Sequence, residues 1–191
     1  MSDLVFRALS LDKWQWSPSP LPGQVVLVTS RDEHGVIDVA PKSWVTMAAG
    51  SGPTVGFGCT REHRTAKNVE ATGEFVINLP GVDLAETVWS MPDVPDRLAG
   101  LTTLPGTTVD VPVLRECPAH LECALDRIVE FSHGEVFIFG TVRRVGVDQR
   151  CLEPDAVGER YDRLGHPFFF LESGWLAPLG QAFPVSDRPA G

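Results

Sequence analysis

The chain has 191 residues, a formal net charge of −9, 43% hydrophobic residues and 21% charged residues. That balance supports one globular domain with a substantial core and excludes a disordered chain. Its acidity excludes nucleic acid as the expected partner, because such binding is driven by neutralising phosphates with a basic face.

Residues 1–20, rich in Trp, Pro and Ser, suit an irregular lead-in to a single domain spanning 1–191. Val25-Val26-Leu27-Val28-Thr29-Ser30 is a β-branched run and predicts a buried strand. Arg31-Asp32-Glu33-His34-Gly35 is a turn, and Val36-Ile37-Asp38-Val39-Ala40 returns as the second arm of a hairpin. Residues 42–49 show no clean period and end at the turn signal Gly50-Ser51-Gly52-Pro53. Thr54-Val55-Gly56-Phe57-Gly58-Cys59 reads as a strand, its glycines marking a close approach of a ligand or a neighbouring strand. A short helix over 65–72 is closed by Gly73, and Glu74–Leu79 is a further strand. Residues 84–89 look helical, with Pro92 and Pro95 interrupting. Residues 121–129 and 136–145 predict antiparallel neighbours joined through Ser132-His133-Gly134. The tail over 150–191, with Phe168-Phe169-Phe170 and Trp175, is expected to pack on the barrel or on a dimer partner. Several short strands with few helices give a mainly β fold, an antiparallel barrel closed by Greek-key links. A parallel sheet needs a helix after each strand, and too few are predicted.

No apolar run approaches the roughly 18 residues of a membrane span. Met1-Ser2-Asp3-Leu4 lacks the basic and apolar regions of a signal peptide, so a cytoplasmic location is expected. Cys59, Cys117, Cys123 and Cys151 then read as reduced thiols. Cys117-x-x-His120-x-x-Cys123 has ligand-type residues, but zinc prefers paired short spacings and a fourth ligand, so no metal is expected.

The densest chemistry lies in Cys59-Thr60-Arg61-Glu62-His63-Arg64-Thr65-Ala66-Lys67-Asn68. Cations, hydroxyls and an amide collect there at the start of the predicted helix. Free N–H groups and the helix dipole favour an anion at such a place, so a phosphorylated small molecule is the expected ligand. The same residue types also cap helices. Neither a dinucleotide fingerprint nor a P-loop fits, since Arg61 stands where the former needs its third glycine.

Val26–Ser30, Gly35, Val39-Ala40-Pro41-Lys42-Ser43-Trp44, Pro53, Thr65-x-x-Asn68 and Gly73–Asn78 occur in order, with Leu121–Cys123 and Phe139–Val142 beyond them. Together they resemble the flavin reductase-like, FMN-binding split-barrel family, which includes reductase components of two-component monooxygenases and the flavoredoxins. The resemblance covers about residues 20–145. It implies a Greek-key split β-barrel, a non-covalent FMN (with FAD as the other fitting flavin), NAD(P)H as co-substrate and a homodimer. Ser43, Trp44, Val45 and Thr46 would lie along the flavin ring with Cys59 nearby. Thr60, Arg61, Thr65, Lys67 and Asn68 would lie near the phosphate.

A phosphate carrying up to two charges needs cations and donors in an acidic protein, because an unpaired buried charge is costly. The ring needs an apolar slot with a few fixed donors. Two features depart from the family pattern. Glu135-Val136 stands where many relatives have a His-Thr pair, with His133 two residues earlier, and Phe169, Phe170 and Trp175 replace a tyrosine near the end. The reading is an NAD(P)H:flavin oxidoreductase, with no side chain assigned as catalytic acid or base. It has a monooxygenase component or an electron-transfer protein as possible partner. An electron-transfer flavoprotein of the flavoredoxin kind and a flavoenzyme acting on a small organic substrate are the alternatives.

Overall fold

The Val-rich run that follows the lead-in is the spine of the molecule. The computed structural model describes residues 7–93, 97–98, 100–172 and 174–180. Strand β1 (Gly23–Gln24) leads into β2 (Val26–Arg31), which turns into β3 (Ile37–Lys42). Asp32 shapes the turn. Its Oδ1 accepts the N–H groups of His34 and Val36 at 2.9 and 2.8 Å, and Gly35 takes a φ of 85° that glycine adopts without a Cβ penalty. Strands β4 (Val45–Ala49) and β5 (Thr54–Thr60), helix α1 (Arg64–Thr72) and strand β6 (Glu74–Leu79) follow. Gly73 ends α1 in the left-handed conformation, its N–H bonded to the carbonyl of Val69.

Helix α2 (Ala85–Ser90) precedes a short pair, β7 (Thr103–Leu104) and β8 (Val113–Leu114). Strands β9 (Ala119–Glu130) and β10 (Glu135–Val147) are the longest and form the expected antiparallel pair across Ser132–Gly134. Helices α3 (Gln149–Leu152) and α4 (Val157–Arg163) lead to β11 (Phe168–Glu172) and β12 (Trp175–Pro178). Pro95, expected to interrupt the region after α2, lies outside the described residues. Among the described residues no helix is long and apolar enough to cross a membrane.

Seven strands form one antiparallel sheet in the order β3-β2-β6-β9-β10-β5-β4. Its two edge strands, β3 and β4, are consecutive in the chain and separated only by Ser43 and Trp44. The sheet must therefore curl until its edges nearly meet, which makes an unclosed, split barrel with the split at Ser43–Trp44. The link from β5 through α1 to β6 crosses from one end of the sheet to the other. A smaller sheet, β1-β11-β12, lies outside the barrel. Strand β4 is largely exposed, with β5 as its one neighbour, and this explains why residues 42–49 carry no clear alternation.

The barrel interior holds Val26, Val28, Phe57, Phe75, Ile77 and Ile138. A second core lies outside β2 and β3, where Val25, Leu27, Val39, Val88, Met91 and Phe168 meet. Successive residues of β2 serve these two cores in turn, so it has no polar face. Buried polar groups tie the layers together. Asn78 donates to the Leu27 carbonyl at 3.1 Å and to Thr29 Oγ1 at 3.2 Å, and its Oδ1 accepts the Leu114 N–H at 2.9 Å. Glu122, fully buried, accepts from the N–H groups of Thr107 and Thr108 and from Thr108 Oγ1. Burial pushes its carboxyl up, but those bonds and nearby His120 outweigh it and leave the group below its ordinary value.

Candidate functional site

The split in the barrel opens into a cleft of about 410 Å³. Ser43 and Trp44, the residues between the sheet's edges, form one wall. Gly58, Cys59 and Thr60 at the end of β5 form the floor, and Phe131, Glu135 and Phe137 of the β9–β10 hairpin face them. Two of the β5 glycines make this arrangement possible. A Cβ on Gly58 would stand 2.9 Å from Trp44 Cε3, and one on Gly56 would stand 2.5 Å from Phe137 Cε1. The close approach anticipated at these glycines is thus made by aromatic side chains of the neighbouring elements. The Trp44 carbonyl accepts the Gly58 N–H at 2.8 Å, which fixes the link against β5. Trp14 from the lead-in stacks on Trp44 at 5.9 Å.

A second recess of about 360 Å³ adjoins the first and shares Pro41, Lys42 and His63 with it. It is lined by Lys42, Arg64 and Arg97 and opens at the start of α1. His63 is the N-cap residue of that helix but makes no side-chain cap. Its carbonyl takes the N–H groups of Ala66 and Lys67, while those of Arg64 and Thr65 have no acceptor among the described residues. The Lys42 ammonium makes no hydrogen bond or ion pair among the described residues. Beneath the recess lies Asp38, 4% exposed, with Arg64 Nε at 3.3 Å, Arg97 Nη1 at 3.8 Å and the Thr65 hydroxyl at 3.2 Å. Glu62 also lines the recess, but Lys67 pairs with it at 2.7 Å, so Asp38 is left to face Lys42, Arg64 and Arg97 and the recess has a net positive field. His63 is held below its ordinary value by burial and then by Lys42 and Arg97, so it is neutral at pH 7. Its Nδ1 lies 3.9 Å from Cys59 Sγ.

The expected site residues divide into four groups. Ser43, Trp44, Cys59 and Thr60 converge on the cleft. Val45 packs on the barrel core, and the Thr46 hydroxyl bonds to the Met47 carbonyl at 3.2 Å on the exposed edge strand. Thr65 and Asn68 are buried and dock α1 on the barrel, Thr65 to Asp38 and Asn68 Nδ2 to Ser30 Oγ at 3.2 Å. Arg61 pairs with Glu70 at 2.6 Å and approaches Glu130 at 3.9 Å, and Lys67 pairs with Glu62 at 2.7 Å. His133, with a φ of 67°, sits in the turn before β10 and does not line the cleft, whereas Glu135 does. The sequence does not mark Lys42, Arg64 and Arg97 as a group. Lys42 and Arg64 lie within the two motifs, but Arg97 comes from a loop with no local signal.

Cys117 and Cys123 lie in separate core clusters, and burial pushes each thiol up to about 12. Among the described residues no group of three His, Cys, Asp or Glu side chains is placed to hold a metal ion.

Residues 19–161 match the family described as flavin reductase like domain. The chain belongs to the flavin reductase-like family. That membership carries a flavin-binding, reductase-type function for this flavin reductase-like chain. A protein of Methanothermobacter thermautotrophicus is 31% identical over 191 residues, covering 89% of each chain. Among solved structures, nitrilotriacetate monooxygenase component B from Bacillus cereus superposes with a TM-score of 0.80 at 21% identity, covering 96% of this chain and 100% of its own. Flavoredoxin of Desulfovibrio vulgaris gives 0.76 at 21% identity, covering 97% of each chain. Both carry the same split-barrel fold.

Proposed function

We propose that this protein binds FMN and transfers a hydride from NAD(P)H to flavin. The observation that carries the reading is the pair of joined cavities. One is apolar and aromatic with a few polar groups, and the other is cationic with free N–H donors. That is the complementarity a flavin mononucleotide asks for, an apolar ring at one end and a phosphate at the other. The ring is assigned to the cleft of Ser43, Trp44, Cys59 and Thr60, and the phosphate to Lys42, Arg64, Arg97 and the N–H groups of Arg64 and Thr65. Arg61, Lys67 and Asn68 then support the helix from its outer and buried sides.

Bound flavin supplies the hydride-accepting chemistry. The chain's own work is to orient and to exclude water. Trp44, pressed on Gly58, fixes one wall of the ring site, and Ser43 offers a hydroxyl and backbone groups at the split. Asp38 holds Arg64 and Arg97 toward the anion. No proton transfer by a protein group is needed for the hydride step itself.

The protein is proposed to act in the cytoplasm as a homodimer. Phe131, Val145 and Trp175 are 56, 61 and 66% exposed, large apolar surfaces that a second copy would cover. A monooxygenase component or electron-transfer protein would accept the electrons. The test is the purified protein: a flavin spectrum, mass identification of the released cofactor, and anaerobic NADH or NADPH oxidation with added FMN. Absence of any flavin affinity would refute the reading. Slow NAD(P)H turnover beside fast reduction by a protein donor would favour the flavoredoxin alternative. Light scattering that gives a stable monomer with FMN bound would refute the dimer.

A further inference from the structure

Three aromatic faces from three distant parts of the chain meet at one cation beside the cleft. Lys13 Nζ lies 5.2 Å from the ring centroid of Trp14, 5.7 Å from that of Trp44 and 5.2 Å from that of Phe170. Trp14 stacks on Trp44 with 25° between planes and meets Phe170 edge-on at 6.3 Å. Lys13 has no ion pair among the described residues, so aromatic faces alone hold its charge. Trp14 also walls two cavities at once. One is the cleft at the split, and the other is an apolar recess of about 330 Å³ that reaches Trp89 and Phe170.

The segment that presents Lys13 and Trp14 is fastened in an unusual way. Among the described residues, every hydrogen bond of residues 7–22 stays inside the segment. Asp12 accepts from the Trp14 N–H and from Gln15 Nε2, both at 3.0 Å, and Trp16 Nε1 donates to the Ser10 carbonyl at 2.7 Å. Pairing with the body begins only at Gly23. The segment is therefore a preformed turn that rests on the body through ring and cation contacts. Trp14 remains 65% exposed on its outer side. Solvent-facing contacts of this kind are individually weak, so a ligand offering the same groups competes with them.

We propose that Lys13 and Trp14 form a displaceable strap filling a binding site for a planar heteroaromatic cation on the shelf of Trp44 and Phe170. The strap itself defines the ligand's chemistry. It supplies one flat bicyclic ring against Trp44 and one positive charge within reach of the π faces. An N-alkylated heteroaromatic ring unites both in one molecule and replaces both. A neutral ring replaces only the indole. Closure of the strap lowers the fraction of molecules open to the ligand and weakens its apparent affinity by that fraction.

The experiment uses the full chain without flavin, so its outcome is independent of the flavin reading, which a separate flavin titration decides. The probe is 1-methylquinolinium, titrated by calorimetry beside neutral quinoline. Tryptic cleavage after Lys13 is followed in parallel. If the strap is closed in about four molecules of five, Lys13→Gln and Trp14→Ala each bind the probe about fivefold tighter than the wild type. The probe also speeds cleavage after Lys13, and quinoline binds less tightly than the probe. Circular dichroism and thermal melting check that both variants stay folded, as expected for a segment with no hydrogen bond to the body. Weaker probe binding in both variants, or protection of Lys13 from trypsin by the probe, would overturn the proposal and make the strap a fixed wall. Failure of the probe to bind wild type and variants alike would overturn it too.

Discussion

Replacing Arg64 by alanine should weaken FMN far more than riboflavin. Arg64 lines the cationic recess beside two N–H groups that lack an acceptor among the described residues. A charge-assisted hydrogen bond is worth about 1.5–3 kcal/mol. The side chain is 61% exposed, so solvent screening takes the contact to the lower end of that range. A loss of about 1.4 kcal/mol is tenfold in affinity. The substitution also strips a partner from Asp38, which is 4% exposed and among the described residues would keep Arg97 at 3.8 Å and the Thr65 hydroxyl. That cost falls on the protein with either ligand and cancels in the ratio of the riboflavin dissociation constant to that of FMN. The ratio therefore isolates the phosphate. Lys42→Ala should lower it about tenfold on the same reasoning, and Arg61→Ala and Lys67→Ala should change it less than about threefold, since both are engaged with carboxylates at the surface. Quenching of flavin fluorescence at fixed ionic strength measures all the constants. An unchanged ratio in Arg64→Ala and Lys42→Ala, with a tenfold drop in Arg61→Ala, would place the phosphate on the outer side of the helix and sink the assignment.

Acid should destabilise the fold in two steps. Burial first, then Arg144, holds His120 below its ordinary 6.5 against the pull of Glu122, so the unfolded chain takes up that proton first and stability falls as pH drops below about 6.5. Glu122, held net below 4.5, adds stability above that value that is lost as pH falls further. Urea midpoints between pH 8 and about 3 read both limbs, His120→Asn should flatten the first, and midpoints that rise from pH 7.5 to 5.5 would contradict the argument. Gly58→Ala should cost about 1–3 kcal/mol, because its Cβ would meet Trp44 at 2.9 Å in a packed wall; it should also lower flavin affinity, and a neutral melting temperature would show that the wall yields freely. Asn78→Leu should destabilise by about 2–4 kcal/mol, since it leaves the buried Leu114 N–H and the Leu27 carbonyl short of a partner, and denaturant unfolding within about 0.5 kcal/mol of wild type would mean that these groups find other partners.

The barrel was legible in the sequence because its strands carry their own signals. Val25–Ser30 is rich in β-branched residues and proves to be buried on both faces, one toward the barrel and one toward Phe168. Gly35 and Gly73 sit where a left-handed residue is required, and both were readable as punctuation. Residues 45–49 were opaque for the opposite reason. An exposed edge strand has no buried face to impose alternation.

The site was legible as a place and less so as a set of contacts. The run from Cys59 to Asn68 marks a cationic helix start, and the helix begins there at Arg64. Which cations face the recess depends on carboxylates both near and far in the chain. Asp38, on the opposite edge strand, draws Arg64 and Arg97 together beneath the opening. Glu70 and Glu130 draw Arg61 aside, and Glu62 draws Lys67. Glu62 and Glu70 are near in the chain, but Asp38 and Glu130 are brought to these cations only by the curled sheet, so spacing along the helix reports half of those choices. The same holds for the wall of the cleft. Nothing local to Trp14 or Lys13 says that they will meet Trp44 and Phe170, yet that meeting decides how much of the cleft is open to a ligand. A near-closed barrel whose first and last strands are joined by two residues must put its polar link, its edge carboxylate and its lead-in segment at one spot. The topology, more than any motif, brings those groups together.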